Sequence, residues 1–392
     1  MLAITGGRAS QVDADGPNLP TLQPEILWKY VSASIQKGDG TKEMIGVTGP
    51  VTEGGVVYFA DDLGRVFALR SADGGEVWRH DHGKRIAVAP TLDQDQLYFG
   101  SAEGVTALHR EHGRPMWKTE IPQGADEAAP IAVDGRVFAS GYDGRTYALD
   151  RRTGMILWTH DFSGDAPDDP PGFVGKQARF QTIAARPGGS ACDGQLFYQS
   201  VFDQCRVIAL DCATGERRWT FQAAGWMSAA PTIVGDRLYV SSQDGHMYCL
   251  DRQTGTLIWK FQSPGWFQSR VAVREGTVFM IHHRGRLYLL DDETGMPLNT
   301  FQMNDDLARD SLHGGGPLLS GRTVYFSIGN GQVYAVDIAS GEVRWKLQPS
   351  EHSRTHSQLA TDGKRLFLLT SQNLQHEGES AIIAIGDSPE TD

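Results

Sequence analysis

The stretch YALDRRTGMILW at residues 147–158 returns almost letter for letter as YCLDRQTGTLIW at 248–259. Whether this phrase is a site or a building block decides the fold. Aligned on its tryptophan, the chain shows Trp78, Trp117, Trp158, Trp219, Trp259, then Asn299 where a tryptophan is expected, then Trp345. Most steps are about 40 residues, a period belonging to repeat architectures. The longer step from Trp158 to Trp219 contains SGDAPDDPPGFVGKQARFQT (163–182), rich in Pro, Asp and Gly, which reads as an inserted loop.

Each unit has one internal order. A first strand opens near a proline (APTL, APIAV, APTIV, GPLL), and a turn leads to a second strand (LYFGS, VFASG, LYVSS, VYFSI). A Gly turn and a third strand follow (VTALH, TYALD, MYCLD, VYAVD), and a TG or SG turn leads to the strand carrying the tryptophan. Short alternating apolar runs between Gly and Asp turns are hairpins, and four in a row make an antiparallel meander. No sustained run has apolar residues at i, i+3, i+4 and i+7, so helix has no competing claim. The expectation is an all-β chain of four-stranded blades, which bury their faces on one another and need a closed ring.

Seven units run from about residue 45 to Gln348, and the last segment supplies three strands. PEILWKYV (24–31) fits the fourth-strand pattern, with Trp28 in place, but has no preceding strands. Joining the two completes an eighth blade, closed by the N-terminal strand, which leaves no unpaired inner edge. The expected layout is a flexible segment 1–23, one eight-bladed β-propeller over 24–386 with the insertion 163–182, and a tail 387–392.

In the phrase itself, Asp150, Asp211, Asp251, Asp291 and Asp337 can accept hydrogen bonds from the following turn, whose Gly takes a positive φ. The indole can lie on a peptide of the next blade and bury a large area. Trp28, Trp78, Trp117, Trp158, Trp219, Trp259 and Trp345 are therefore expected to dock blade on blade. ALDxxTGxxxW resembles the tryptophan-docking repeat of the PQQ-like, quinoprotein alcohol dehydrogenase-like propellers. The size and blade layout are similar to the non-catalytic BamB-like branch of that family.

The resemblance implies two alternatives. The dehydrogenases hold pyrroloquinoline quinone (PQQ) with calcium and carry a vicinal cysteine disulfide; this sequence has no Cys-Cys pair, and no calcium or base residue can be matched. GxSxG, HExxH, P-loop and EF-hand patterns are absent too. The expectation is a non-enzyme without cofactor or metal, a scaffold for a protein partner. A PQQ-dependent dehydrogenase and a carbohydrate-binding sensor are the alternatives. His282 and His283 point to opposite faces of a strand and read as a surface turn rather than a chelate.

Loops from a fourth strand to the next first strand should share a rim with the turns between second and third strands, and binding residues concentrate on such loops. That rim would display Arg85, Asp126 and Glu127, then Arg179 of the insertion. GWMS adds Trp226 and Met227, and GWFQ adds Trp266 and Phe267. His313, Arg354 and His356 complete it. Trp226 and Trp266 lie outside the docking register, either as a binding surface or as a plug of the funnel mouth. Cys192 and Cys212 both fall on the opposite rim, where a disulfide is geometrically possible; four reduced, partly buried thiols are the alternative.

Composition narrows the partners. A formal net charge of -12 without a basic patch opposes nucleic acid. No apolar stretch approaches the roughly 18 residues of a membrane helix. The family resemblance implies the periplasm or cell envelope; the first residues show neither the apolar core of an export signal nor a cysteine for lipid attachment, which leaves the cytoplasm open.

Overall fold

The computed structural model of the chain describes residues 19, 24–32, 35–36, 42–43, 45–125, 127–162, 187–267, 269–282, 285–303, 315–350, 353–355, 357–372 and 380–387. Among them the regular structure is β-strand throughout, arranged as an eight-bladed propeller of four-stranded antiparallel sheets. Two compact units make up the chain, one containing Thr91–Val278 and Leu289–Leu298, the other Ser10–Pro90, Phe279–Tyr288 and Asn299–Asp392.

The third blade shows how the sequence builds the repeat. Its strands, Ile131–Val133, Arg136–Ser140, Arg145–Asp150 and Ile156–Asp161, pair in chain order. Asp134 and Gly135 have φ of 47° and 75°, the double positive-φ hairpin turn whose twist matches the flanking strands. The second and third strands are buried along almost their whole length, whereas Ile156–Asp161 alternates and faces solvent along one side. The same meander spans 51–81, 91–120, 187–222, 232–262, 272–302 and 318–347.

A β-bulge in the fourth strand aims the tryptophan. Ala148 pairs with Trp158 but Leu149 pairs with Ile156, so Leu157 is an extra residue, and the added twist turns the indole inward. The shift recurs before Trp78, Trp117, Trp219, Trp259 and Trp345. The bulge residues Val77, Met116, Leu157 and Ile258 are consequently left as exposed apolar side chains.

Each indole then meets the joint its repeat prescribes. Trp117 Nε1 donates to Arg151 O at 2.8 Å, Trp158 to Cys212 O at 3.0 Å, Trp219 to Arg252 O at 3.0 Å and Trp259 to Asp292 O at 2.7 Å. Beneath the ring lies the glycine of the TG turn. A Cβ on Gly295, already at φ +69°, would stand 2.5 Å from the Trp259 ring, so this position excludes side chains for two reasons at once. The preceding Asp organises the turn: Asp251 Oδ1 accepts from Gln253 N at 3.0 Å and Thr254 N at 2.8 Å.

Asn299 departs from the pattern. It is exposed, and Phe301, two residues further along the same strand, takes over the contact, since a Cβ on Gly341 would collide with the Phe301 ring. An aromatic one step along the same face restores the covered glycine, which alternation in a strand allows.

The eighth blade is completed by both ends of the chain. Pro24–Val31 pairs antiparallel with Ser380–Asp387, with Trp28 opposite Ala384 and Lys29 opposite Ile383. Leu366–Gln372 continues the sheet, and Ser353–Arg354 and Ala360–Thr361 pair with it on the inner side. Trp28 donates to Ser71 O at 2.9 Å and covers Gly74, as the internal joints do.

Ion pairs reinforce neighbouring blades on the rim of the first-to-second strand turns. Arg151 reaches Asp93 at 2.8 Å and Asp95 at 2.6 Å, Arg237 meets Asp292 at 2.7 Å, and Arg252 bonds Asp193.

Candidate functional site

The expected sharing of a rim holds where the unit containing Thr91–Val278 can be followed atom by atom. The turn after Arg237–Ser241 carries Gln243 and Asp244, and the incoming loop 223–231 is clamped to it. Gln243 N donates to Trp226 O at 2.8 Å, Ala224 N to Asp244 Oδ2 at 3.0 Å, and Ser242 Oγ to Gly225 O at 3.1 Å. Gly225 is needed for this approach, because a Cβ there would stand 2.4 Å from Asp244 N. The Trp226 ring, half-buried, packs on Phe202 with centroids 5.0 Å apart.

The next loop, 263–271, is held in the same way. Ser263 N donates to Gly245 O at 3.0 Å, Ser263 Oγ to Gly265 O at 2.8 Å, and Ser241 Oγ to Ser269 O at 3.2 Å. Between these anchors Trp266 is 40% exposed. Met227 and Phe267, expected on the surface, are buried at 0% and 1%. Each is the neighbour of a rim tryptophan, and the clamped backbone sends successive side chains to opposite sides, so these two form the floor. Met227 joins the core around Tyr198, Trp219 and Tyr248.

Electrostatics explain the rigidity. Burial alone would raise the Asp244 carboxyl, yet hydrogen bonds from Tyr248 Oη, His246 N and Ala224 N hold it below the ordinary carboxylate value. The same side chain therefore stays ionised while fixing the loop that presents Trp226. Tyr248 is correspondingly raised, by burial first and by Asp244 second. Arg270, in the Trp266 loop, is pushed down to about 10 by burial and remains a cation at neutral pH.

The remaining expected rim residues divide. Glu127 is exposed and accepts from Tyr142 Oη, while Tyr142 N donates to Gly124 O at 3.3 Å. In the other unit Arg85 is exposed, with Nε 3.4 Å from Asp62 Oδ1, and Arg354 is half-buried within Ser353–Arg354. Asp126, Arg179, His313 and His356, with the insertion 163–182, lie outside the described residues. Sequence reasoning missed Asp244, Tyr248 and Arg270. The first two have a legible signal: Asp before the turn Gly and Tyr four residues on, repeated as Asp143 and Tyr147 with a 2.5 Å bond.

Among the described residues no group of three or more His, Cys, Asp or Glu is placed to hold a metal ion. His282 is buried at the end of Thr277–His282 instead of lying in a surface turn, its ring edge-on to Tyr288; His283 lies outside the described residues. The arrangement thus offers indole faces, a cation and carboxylate acceptors on fixed loops, suited to binding.

Known proteins fit this description. BamB from Moraxella catarrhalis superposes with a TM-score of 0.66 at 18% identity, covering 92% of this chain and 100% of that one, a likeness of fold. An outer membrane protein assembly factor BamB from Shewanella oneidensis is 27% identical over 251 residues, 58% of each chain, so this chain spans under two thirds of that relative. A quinoprotein ethanol dehydrogenase from Pseudomonas aeruginosa is 28% identical over 165 residues, which are 40% of this chain and 23% of the enzyme. The family model described as outer membrane protein assembly factor BamB matches residues 5–117, 64–178, 177–296 and 203–386. With nearly the whole length matched and the repeat realised blade by blade, the chain belongs to that family of PQQ-like propellers.

Proposed function

We propose that this propeller is a non-catalytic scaffold without a cofactor, that it works in the assembly of outer-membrane proteins in the bacterial envelope, and that it holds a protein partner on the rim bearing Trp226 and Trp266. The family match over nearly the whole chain carries this reading. The geometry supports it: an indole 40% exposed on a loop clamped at both ends loses little entropy on binding, and such aromatics with a nearby Arg are the usual centre of an interface. The sequence match to the quinoprotein ethanol dehydrogenase covers 23% of that enzyme, less than the 58% covered in the Shewanella BamB.

The test is photo-crosslinking from position 224, exposed in the Trp226 loop, in cells that make the protein. The expected adduct is an outer-membrane assembly protein, lost in the Trp226→Ala/Trp266→Ala double variant while the melting temperature stays unchanged. Undiminished capture by that variant would remove the rim from the reading. Saturable binding of PQQ with calcium, together with alcohol-dependent dye reduction, would replace the scaffold by a dehydrogenase.

A further inference from the structure

All four cysteines are buried, and two of them meet. Cys192 closes the strand Pro187–Cys192, Cys212 follows Arg206–Asp211, and their Sγ atoms are 3.2 Å apart. The meeting is built by the backbone. Cys192 pairs with Phe197, which pairs with Leu210, and beyond that strand Cys212 N donates to Gln195 O at 2.9 Å, curling the chain over the turn that Cys192 opens. Approach by about 1.2 Å would reach the S–S bond length of about 2.0 Å. Both sulfurs lie in an apolar cluster with Phe138, Phe162 and Phe197, and Trp158 of the preceding blade packs on it while donating to Cys212 O.

We propose that Cys192 and Cys212 form a disulfide that staples the fourth blade at its joint with the third. The oxidant is a small-molecule or protein disulfide. One cysteine thiolate attacks a sulfur of the donor and expels one thiolate; the second cysteine then attacks the mixed disulfide and expels the other. Two protons leave the protein, its two sulfurs lose two electrons, and the donor departs as two thiols. The hydrogen bond with Cys192, and then burial, push the Cys212 thiol well above its ordinary value, so little thiolate exists once the blade has closed. The bond therefore forms during folding. Cys205 cannot compete for Cys212, because the intervening strand Arg206–Asp211 holds them about 20 Å apart. Only the supply of oxidant in cells rests on the envelope reading.

The experiment refolds reduced, denatured chain with oxidised glutathione, then alkylates and maps the thiols by mass. The expected product has one 192–212 bond, Cys205 and Cys249 alkylated, and a melting temperature higher than the reduced form by about 4 °C. Cys192→Ala and Cys212→Ala should each abolish the bond, and the Cys205→Ala/Cys249→Ala double variant should retain it with the same shift. Four free thiols in the refolded, correctly melting protein, or a bond in another pair, would overturn the proposal. Acid-quenched cells separate the two readings: a chain that bridges on refolding but carries four thiols in vivo refutes the envelope placement and leaves the pair standing.

Discussion

Removing one docking ring tests the construction of the whole molecule. Trp259 is 7% exposed, its Nε1 is bonded to Asp292 O at 2.7 Å, and its ring covers Gly295. Burying an indole of about 200 Å² at about 25 cal/mol per Å² sets an upper value near 5 kcal/mol, and large-to-small changes of this kind cost about 3 to 5 kcal/mol. With an unfolding entropy of about 2.1 cal/mol/K per residue over 392 residues, a loss of about 4 kcal/mol lowers the melting temperature by about 5 °C. Gly295→Ala attacks the same joint from below. In the wild type it meets both the left-handed backbone penalty and the ring; in the Trp259→Ala background only the backbone penalty of about 1 to 2 kcal/mol remains. Calorimetry on the four proteins of this cycle should return a coupling of about 1 kcal/mol or more. An unchanged melting temperature for Trp259→Ala, or additivity within about 0.5 kcal/mol, would refute stacking on the turn glycine.

Phe301→Ala should destabilise by about 3 kcal/mol and the exposed Asn299→Ala by under about 0.5 kcal/mol, measured by urea unfolding; the reverse order would return the joint to position 299. Trp28→Ala should cost about as much as an internal docking residue, although its partner Ser71 O is reached from the N-terminal strand. Asp337 is held down to about 2, first by its bond from Arg344 and then by Ser340 N. Because its folded pKa lies below the ordinary 3.8, its contribution is complete above about pH 4 and is lost as pH falls toward 2. Asp337→Asn should therefore unfold at lower urea than the wild type at pH 7, and the gap should shrink between pH 4 and 2; a gap that persists there would exclude the carboxylate as its source.

The fold was legible because its strongest signals are local and repeated. The ALDxxTG turn, the spacing of the tryptophans and the orphan PEILWKYV each state a covalent sequence requirement, and the Trp28 to Ala384 register realises the last of them. The aromatic at 301 escaped notice because the joint requires a ring on a glycine and not a fixed residue number; alternation supplies a second place for it. The bulge before each tryptophan is likewise invisible in residue type, since register is set across strands. The candidate site was less legible. Trp226 and Trp266 stood out by falling outside the repeat, but their neighbours Met227 and Phe267 have the same hydrophobic character, and only the clamping of the loop backbone separates surface from floor.

The pairing of Pro24–Val31 with Ser380–Asp387 sets a clock for synthesis. The earlier of the two strands cannot find its partner until about 350 further residues have emerged, some 20 to 70 s at ~5–20 residues per second. Throughout that interval it offers a bare hydrogen-bonding edge to any passing chain, whereas Thr91–Val278 is contiguous and can begin condensing early. Closing the eighth blade is thus the step that the topology defers longest.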